Sequence, residues 1–385
     1  MDRTLRIAID ARPLAFAGTG NGRYLDLMLR NLLRLRPGDE WVLLSHRNLH
    51  QDYLDLLGNP RVLLNVDRSA SGRAGPAWLH IRVPSLLKEY ECDLFWAALS
   101  LLPYNYRKRR GDIPAMVNFH DLNAFVAPET MVGWNKWQHR LLDGPTLENA
   151  DRVLCLSGNT KRDIRKHFPD TPEEKLSIVY PGCELPAVEA IRPDGPVGDL
   201  PAFILSVGAL EPRKNHETVV EARLNSKAAD MLPLVIVGRK GWGDESLYNR
   251  LKSGELESRG IYFLENPSDE VLRWCYERSA VLAFASLHEG FGLPVIEALQ
   301  LGKPVLLSDI PIFREIAPED CRFMAPRDAD AWSRALEDAS REHHAGGIAP
   351  NSFDRNFWSW DSRARALSKI IDELTNQSFA TEASR

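Results

Sequence analysis

The sequence predicts an α/β protein of two domains, each built on a parallel sheet. Three observations carry this. At 385 residues the chain exceeds what a single hydrophobic core usually holds. Short apolar runs alternate with helix-patterned segments in both halves, as in repeated β-α-β units. Between the halves, residues 184–201 are rich in Pro, Gly and Asp and lack periodicity, which reads as a linker. The expected division is a first domain at 1–183, the linker at 184–201, a second domain at 202–352, and a closing helix and tail at 353–385.

Composition narrows the class. Hydrophobic residues make up 44% and charged residues 26%, ordinary values for a globular protein in water. No run of about 18 apolar residues predicts a membrane span, and the opening MDRTLRIAID reads as a polar lead into a strand rather than a secretion signal. The five cysteines, at 92, 155, 183, 275 and 321, are scattered without a C-x-x-C pair. They read as reduced, mostly buried thiols of a cytoplasmic protein. Residues 1–183 hold 25 Lys and Arg against 21 Asp and Glu, so they carry +4, while the remainder carries −9. The basic first half could suit an acidic acceptor or an anionic membrane face, but the excess is small and a bland surface is the better reading of it.

In chain order, Leu5–Asp10 is an apolar strand signal. Gly18, Gly20 and Gly22 follow as a glycine loop, then a helix pattern from Tyr24 to Leu35. This is a nucleotide-fold opening but not the dinucleotide fingerprint, because Arg23 stands where G-x-G-x-x-G needs its last glycine. Strands are expected at Trp41–Leu44, Arg61–Val66 and Asp93–Ala97, with a helix at Pro76–Tyr90 and a surface loop between Asp67 and Pro76. The basic run Arg107–Arg110 reads as a solvated loop, with a membrane or acceptor-diphosphate contact as the lesser reading. Pro114–Asp121 is a strand ending in His120 and Asp121, followed by Pro128 and Glu129. Polar residues at the carboxyl end of a parallel strand sit where such sheets bind ligands; a histidine capping the strand is an equal reading of the residues alone. Trp134, Trp137 and Leu141 share a helix face and read as core, with an acceptor or lipid contact as the lesser reading. Arg152–Ser157 is a strand, Asn159–Phe168 a helix, and Pro181-Gly182 a turn.

The second half restarts the pattern. A strand at Phe203–Gly208 leads through Glu211-Pro-Arg213-Lys214-Asn215 into a helix from His216. Two cations in a strand-to-helix loop suit a diphosphate, Lys as a point charge and Arg as a fork. Further strands are expected at Leu234–Gly238, Ile261–Glu265, Val281–Ala285 and Val305–Ser308. A short strand at Arg322–Met324 and helices from Asp328 and after Trp360 close the chain, with 375–385 as a disordered tail. Asp328-Ala-Asp330 is no metal motif on this reading: it sits at a helix start, where acidic residues complement the dipole.

The most informative stretch is Ser286–Asp309. Pro294 suits a first helical turn, and Gly302 with Pro304 marks its stop, so a two-turn helix is expected at Pro294–Leu301. Its glycine-rich lead, Gly290-Phe291-Gly292-Leu293, leaves backbone N–H groups open to an anion. Glu289 and Glu297 flank that loop and suit sugar hydroxyls on either side of a diphosphate.

Glu289-Gly-Phe-Gly-Leu-Pro-Val-Ile-Glu297 resembles the E-x7-E motif of family 4 retaining glycosyltransferases of GT-B fold. VGALEPRKN at 207–215 resembles that family's diphosphate loop. The opening, with Gly20 and Gly22, is similar to bacterial polysaccharide and O-antigen mannosyl- and rhamnosyltransferases. The resemblance implies two Rossmann-like domains facing a cleft, with the last helix crossing back to the first domain, where Trp358 and Trp360 would pack it. It implies donor contacts from Gly20, Gly22, Arg213, Lys214, Gly290, Phe291, Gly292, Leu293 and Glu297. It places His120 and Glu289 against the donor sugar, with Asp121 supporting. Some members carry a further Arg upstream of the diphosphate loop, where this chain has Ala209-Leu210.

The implied reaction retains anomeric configuration and needs no essential metal or other cofactor, only a nucleotide-sugar co-substrate. The implied donor is a GDP-linked mannose or D-rhamnose, with a UDP-sugar as the alternative. The implied acceptor is a lipid-linked oligosaccharide, met in the cytoplasm or at the inner face of the plasma membrane, and no nucleic acid is involved. Two other classes remain: a sugar-nucleotide epimerase of the same fold, and a catalytically silent subunit scaffolding polysaccharide assembly.

Overall fold

The computed structural model describes residues 4–16, 18–68, 75–109, 113–128, 131, 133–183, 188–243 and 245–383. Its contacts divide into two compact units: Met1–Gly182 with Asn356–Arg385, and Cys183–Arg355.

The first unit begins with β1 (Arg6–Asp10), α1 (Gly20–Leu35), β2 (Glu40–Ser45) and β3 (Val62–Val66). It continues through α2 (Gly75–Ile81), α3 (Val83–Glu89), β4 (Leu94–Ala97), α4 (Tyr106–Arg109) and β5 (Ala115–Phe119). Then come α5 (Asn123–Val126), α6 (Gly133–Asn149), β6 (Arg152–Cys155), α7 (Gly158–His167) and β7 (Leu176–Ile178). All seven strands pair in parallel, in the order β3-β2-β1-β4-β5-β6-β7.

The second unit opens with β8 (Ile204–Val207), α8 (His216–Asn225), β9 (Leu234–Gly238), α9 (Glu245–Lys252), β10 (Ile261–Glu265) and α10 (Asp269–Arg278). It closes with β11 (Val281–Phe284), α11 (Leu293–Gln300), β12 (Val305–Ser308), α12 (Pro311–Ile316), β13 (Arg322–Met324) and α13 (Ala329–His344). Its six strands, again parallel, run β10-β9-β8-β11-β12-β13. Two open parallel sheets of seven and six strands with helices on their faces are the architecture expected of a GT-B protein. In each sheet the strand order reverses direction at one place, between β1 and β4 and between β8 and β11. Ligands of open α/β sheets bind beyond the carboxyl ends of the strands at such a point.

The strands read as apolar runs because both faces are covered. Ile7, Ile9, Trp41, Leu43, Leu94 and Trp96 enter one core layer, and their neighbours Ala8, Val42, Leu44, Phe95 and Ala97 enter the other. The chain's last helix, α14 (Trp360–Ala383), belongs to the first unit. Trp360, Ala364, Leu367, Ile371 and Leu374 recur at helical spacing and lie in the same layer as Leu25, Leu29 and Leu32 of α1. Each large side chain so covered contributes about 1.5–3 kcal/mol. Arg36 fastens the contact, donating through Nη1 to Asp372 (2.7 Å) and to the Ser368 hydroxyl (2.8 Å).

Several expectations need correction. The disordered tail from 375 is instead helix as far as Ala383: the buried Thr375 hydroxyl bonds back to Ile371 O and the helix runs on past it. The glycine loop is shorter than expected: α1 starts at Gly20, since the Thr19 hydroxyl caps it by accepting from Gly22 N (3.1 Å). The single helix at 76–90 is two, α2 and α3, joined at Arg82 with Pro84 in the first turn of the second. Trp137 and Leu141 are not core: they are 57% and 65% exposed. Residues 107–109 form the turn of α4 rather than a loop; Arg110, Glu129 and residues 69–74 lie outside the described residues. All five cysteines are buried, and none is in a disulfide among the described residues. Asp328 caps α13, accepting from Ala331 N at 2.9 Å. No described helix is long and apolar enough to cross a membrane.

Candidate active site

In the second unit, the loops after β8 and β11 stand side by side at the strand-order reversal. They are stitched together by backbone: Leu287 N donates to Arg213 O at 2.8 Å. Asn215 adds a second tie. It adopts a left-handed conformation (φ 55, ψ 37) and donates through Nδ2 to Ala285 O (2.9 Å) and Pro326 O (2.6 Å). Thr218 Oγ1 donates to Asn215 Oδ1 (2.9 Å) and fixes the amide's orientation.

These ties deliver Arg213 and Lys214 onto Glu289. Lys214 Nζ donates to Glu289 Oε1 at 2.5 Å and Arg213 Nη1 to Oε2 at 2.8 Å, while the Ser286 hydroxyl donates to Oε1 at 2.8 Å. Glu211 accepts from Arg213 Nε at 3.0 Å. Two cations and two carboxylates are thus interleaved. Glu289 is 5% exposed. Burial works to raise its carboxyl, but Lys214 and Arg213 overcome that and hold it at about 2, so it is ionised at neutral pH. Burial pulls the Lys214 ammonium below its ordinary value, opposed by Glu289. The ammonium also stands 5.1 Å from the Phe284 ring centre.

The sequence presents Arg213 and Lys214 as a pair for a diphosphate, with Glu289 beside it. The structure instead pairs both with Glu289 and adds Glu211 on Arg213, so two carboxylates balance the two cations. Both cations are already bonded to carboxylates.

Gly290–Leu293 leads into α11 as the sequence predicts, one residue earlier than the Pro294 start. Gly292 has φ 106, and a Cβ there would stand 2.8 Å from Phe313 Cε1. No other residue type suits both constraints. Phe291 is 5% exposed, so its side chain packs inward and the loop offers its backbone. Glu297 lies in the second turn of α11. It is 4% exposed and accepts from the buried Tyr276 hydroxyl at 2.7 Å.

In the first unit, His120 follows β5 and Asp121 comes next. His120 Nε2 bonds Ala98 O, beyond the end of β4, at 2.8 Å. A carbonyl only accepts, so Nε2 carries the proton and Nδ1 is the acceptor. Burial holds the ring below its ordinary pKa, against the opposing pull of Ala98 and Asp121, and so keeps it neutral. Tyr24 of α1 meets it edge-on, with ring centres 5.7 Å apart. Asp121 Oδ1 accepts from Asn123 N at 3.0 Å and so shapes the turn into α5. Gly20 is exposed, and a Cβ there would meet nothing within 4 Å, so the position is open to close approach. Gly22 is buried: a Cβ there would lie 2.9 Å from Pro13 O, so its smallness serves packing.

Sequence reasoning missed Tyr276, Ser286 and Glu211 as partners of the site carboxylates and cations, and missed His216 beneath it. His216 Nδ1 pairs with the Ser206 hydroxyl at 3.1 Å. Burial, then Lys214, hold its imidazole at about 4. Only the three-residue spacing from Ser286 to Glu289 was a local signal.

Two Rossmann-like sheets, with a cation–carboxylate cluster and a glycine-led helix at one strand-order reversal, define a GT-B glycosyltransferase. Comparison with known proteins makes this specific. Residues 20–185 match the model for Glycosyltransferase Family 4, and residues 188–352 match that for Glycosyl transferases group 1. The chain belongs to the glycosyltransferases that combine these two domains. It is 34% identical over 243 residues to the serotype-specific mannosyltransferase WbdA of Escherichia coli, covering 58% of this chain and 29% of that one. The chain therefore spans less than a third of that relative's length. It is 26% identical to the O-antigen chain mannosyltransferase B of Escherichia coli, over 87% of this chain and 92% of that protein. Among solved structures, Anabaena HepE in complex with UDP and glucose superposes with a TM-score of 0.64 at 16% identity, over 99% of this chain and 100% of that one.

Proposed function

We propose that this protein is a retaining hexosyltransferase of surface-polysaccharide synthesis. It moves mannose, or a D-rhamnose-type sugar, from a GDP-sugar to a lipid-linked saccharide acceptor. The observation that carries the reading is the Arg213–Lys214–Glu289 cluster at the end of β8 and β11, beside the glycine-led start of α11 and with Glu297 held by Tyr276. The names of the relatives, O-antigen and serotype-specific mannosyltransferases, support the sugar.

On this reading Arg213, Lys214 and the N–H groups at 290–293 take up charge on the leaving diphosphate. No essential metal is assigned. Glu297 holds the ribose. His120, through Nδ1, accepts a hydroxyl of the donor sugar, with Asp121 shaping its loop. The acceptor hydroxyl loses its proton to the departing phosphate on the same face, so configuration is kept. The setting is the cytoplasm or the inner membrane surface.

Thermal stability against matched GDP, UDP, ADP and TDP tests the donor, because a ligand of the folded state raises the melting point by mass action. A GDP-selective rise that Lys214→Ala abolishes is expected. A UDP-selective rise replaces the donor, and no rise with any nucleotide removes the transferase reading in favour of a silent subunit. An inverted product would overturn the retaining mechanism.

A further inference from the structure

A second set of charged groups lies in the first unit, at the carboxyl ends of β1 and β2, and the donor reading leaves it unused. At its centre is Arg12, whose Nε and Nη2 donate to the two oxygens of the fully buried Asp10 at 2.8 and 2.7 Å. That pairing takes one edge of the guanidinium, and Nη1 has no part in it. The guanidinium carbon stands 5.9 Å from the ring centre of the buried Trp78, and the His46 ring stands 5.5 Å from the same residue. His46 Nδ1 is buried with no hydrogen-bond partner among the described residues. An orphaned buried nitrogen beside a half-paired guanidinium is an unfinished polar site.

His80 completes the inner set. Its Nδ1 accepts from Tyr104 N at 3.0 Å, so its proton sits on Nε2 as a donor. Burial, followed by Arg12, pushes both His46 and His80 below their ordinary values, which places Arg12 within electrostatic reach of both rings. Two exposed guanidinium groups flank them. Arg47 follows His46, and Arg109 donates to His80 O and to Ile81 O. Three guanidinium groups against the single carboxylate of Asp10 leave the cluster cationic. Apolar side chains adjoin it without cover: Phe16, 5.4 Å from the Arg47 guanidinium, is 49% exposed, Tyr104 56% and Ile81 62%.

We infer that this cluster is an anion subsite for a phosphate or diphosphate ester, whose apolar substituent lies over Phe16, Ile81 and Tyr104. It rests on the glycosyltransferase reading for its purpose, which is to seat the charged head of the acceptor. Guanidinium groups fork onto phosphate oxygens, and the His80 donor adds a neutral bond. Exposed apolar side chains beside fixed cations match an amphiphile better than a free ion.

The test titrates the full chain by calorimetry with inorganic pyrophosphate and with a short, water-soluble prenyl diphosphate. Two backgrounds silence the donor loop: Lys214→Ala, and the unaltered protein saturated with GDP. Both ligands should bind in each background, the prenyl ester more tightly. Arg47→Ala with Arg109→Ala, both exposed and compared at an unchanged melting point, should weaken both ligands by about tenfold or more. Equal affinity for the two ligands assigns the ester to a phosphorylated saccharide rather than a lipid and overturns the apolar half of the inference. Undiminished binding in the double variant, or no binding in either background, overturns all of it. GDP binding to the unaltered protein tests the donor reading separately, so the two failures are distinguishable.

Discussion

Lys214 and Glu289, 75 positions apart, meet at 2.5 Å in the second unit, and Arg213 shares the same carboxylate. The residues best suited to a leaving diphosphate are thereby held in place before any ligand arrives. Rigid placement costs little when charge develops in the reaction, which is how electrostatic stabilisation of a transition state works. The same arrangement sets a competition, because Glu289 lowers the positive potential that a diphosphate meets.

Glu289→Gln therefore separates binding from turnover. The amide keeps the shape and relieves Arg213 and Lys214 of an anion, so GDP should bind several-fold more tightly. On the proposed assignment of Glu289 to the donor sugar, transfer should fall by about two orders of magnitude or more, because that group has lost its charge. Calorimetry with GDP beside a turnover assay reads both. Weaker GDP binding in this variant would mean that Glu289 organises the cations more than it screens them.

Acid stability should fall in two stages. His216 has its folded pKa lowered from 6.5 to about 4, so the unfolded chain binds its proton first as pH drops; stability is lost between those values, by about 3 kcal/mol. Glu289 is lowered from 4.5 to about 2, so its contribution is complete above 4.5 and disappears as pH falls toward 2. Urea unfolding from pH 7 to 4 should show a shallower decline in His216→Asn than in the unaltered protein. Equal slopes would show that His216 is not the group titrating in that window.

Tyr276 bonds Glu297 within α10–α11 packing, and both side chains are buried. On the assignment of Glu297 to the ribose, Tyr276→Phe leaves the carboxylate in place but unaimed. Nucleoside diphosphate binding should weaken by about tenfold, the scale of one hydrogen bond to a charged group. Inorganic pyrophosphate, which has no ribose, should bind as before. A matched loss for both ligands would point to general loosening of the loop.

Much of this architecture was legible because it is written locally. Pro294 and Gly302 bracket α11, and the apolar runs mark twelve of the thirteen described strands within a residue or two. What was not legible depends on contacts between distant positions. Nothing near Glu297 points to Tyr276, and nothing near Arg213 announces that Glu289 will pair with it. Gly20 and Gly22 looked like loop because glycine disfavours helix, yet one hydroxyl, on Thr19, suffices to start α1 there. Trp137 and Leu141 looked like core because their spacing is helical, but spacing reports a shared face and not what covers it.

Gly182 tests how α14 is anchored in the first unit. A Cβ at 182 would come within 2.4 Å of Trp360 Cγ and 2.6 Å of the Trp360 backbone Cα, so the clash cannot be relieved by turning the indole alone. The start of α14 would have to move, and with it the stripe Ala364, Leu367 and Ile371 that packs with α1. Gly182→Ala should cost about 1–3 kcal/mol, the usual range for overpacking a close-packed contact. Leu367→Ala, which removes buried volume from the middle of the same stripe, should cost about 2–5 kcal/mol. Denaturant unfolding with nucleotide absent measures both. The pair discriminates between two ways of holding a terminal helix. A large effect of Leu367→Ala with none of Gly182→Ala would mean that the helix is held along its length and that its first turn yields freely. Losses in both mean that the Gly182–Trp360 contact fixes where the helix begins.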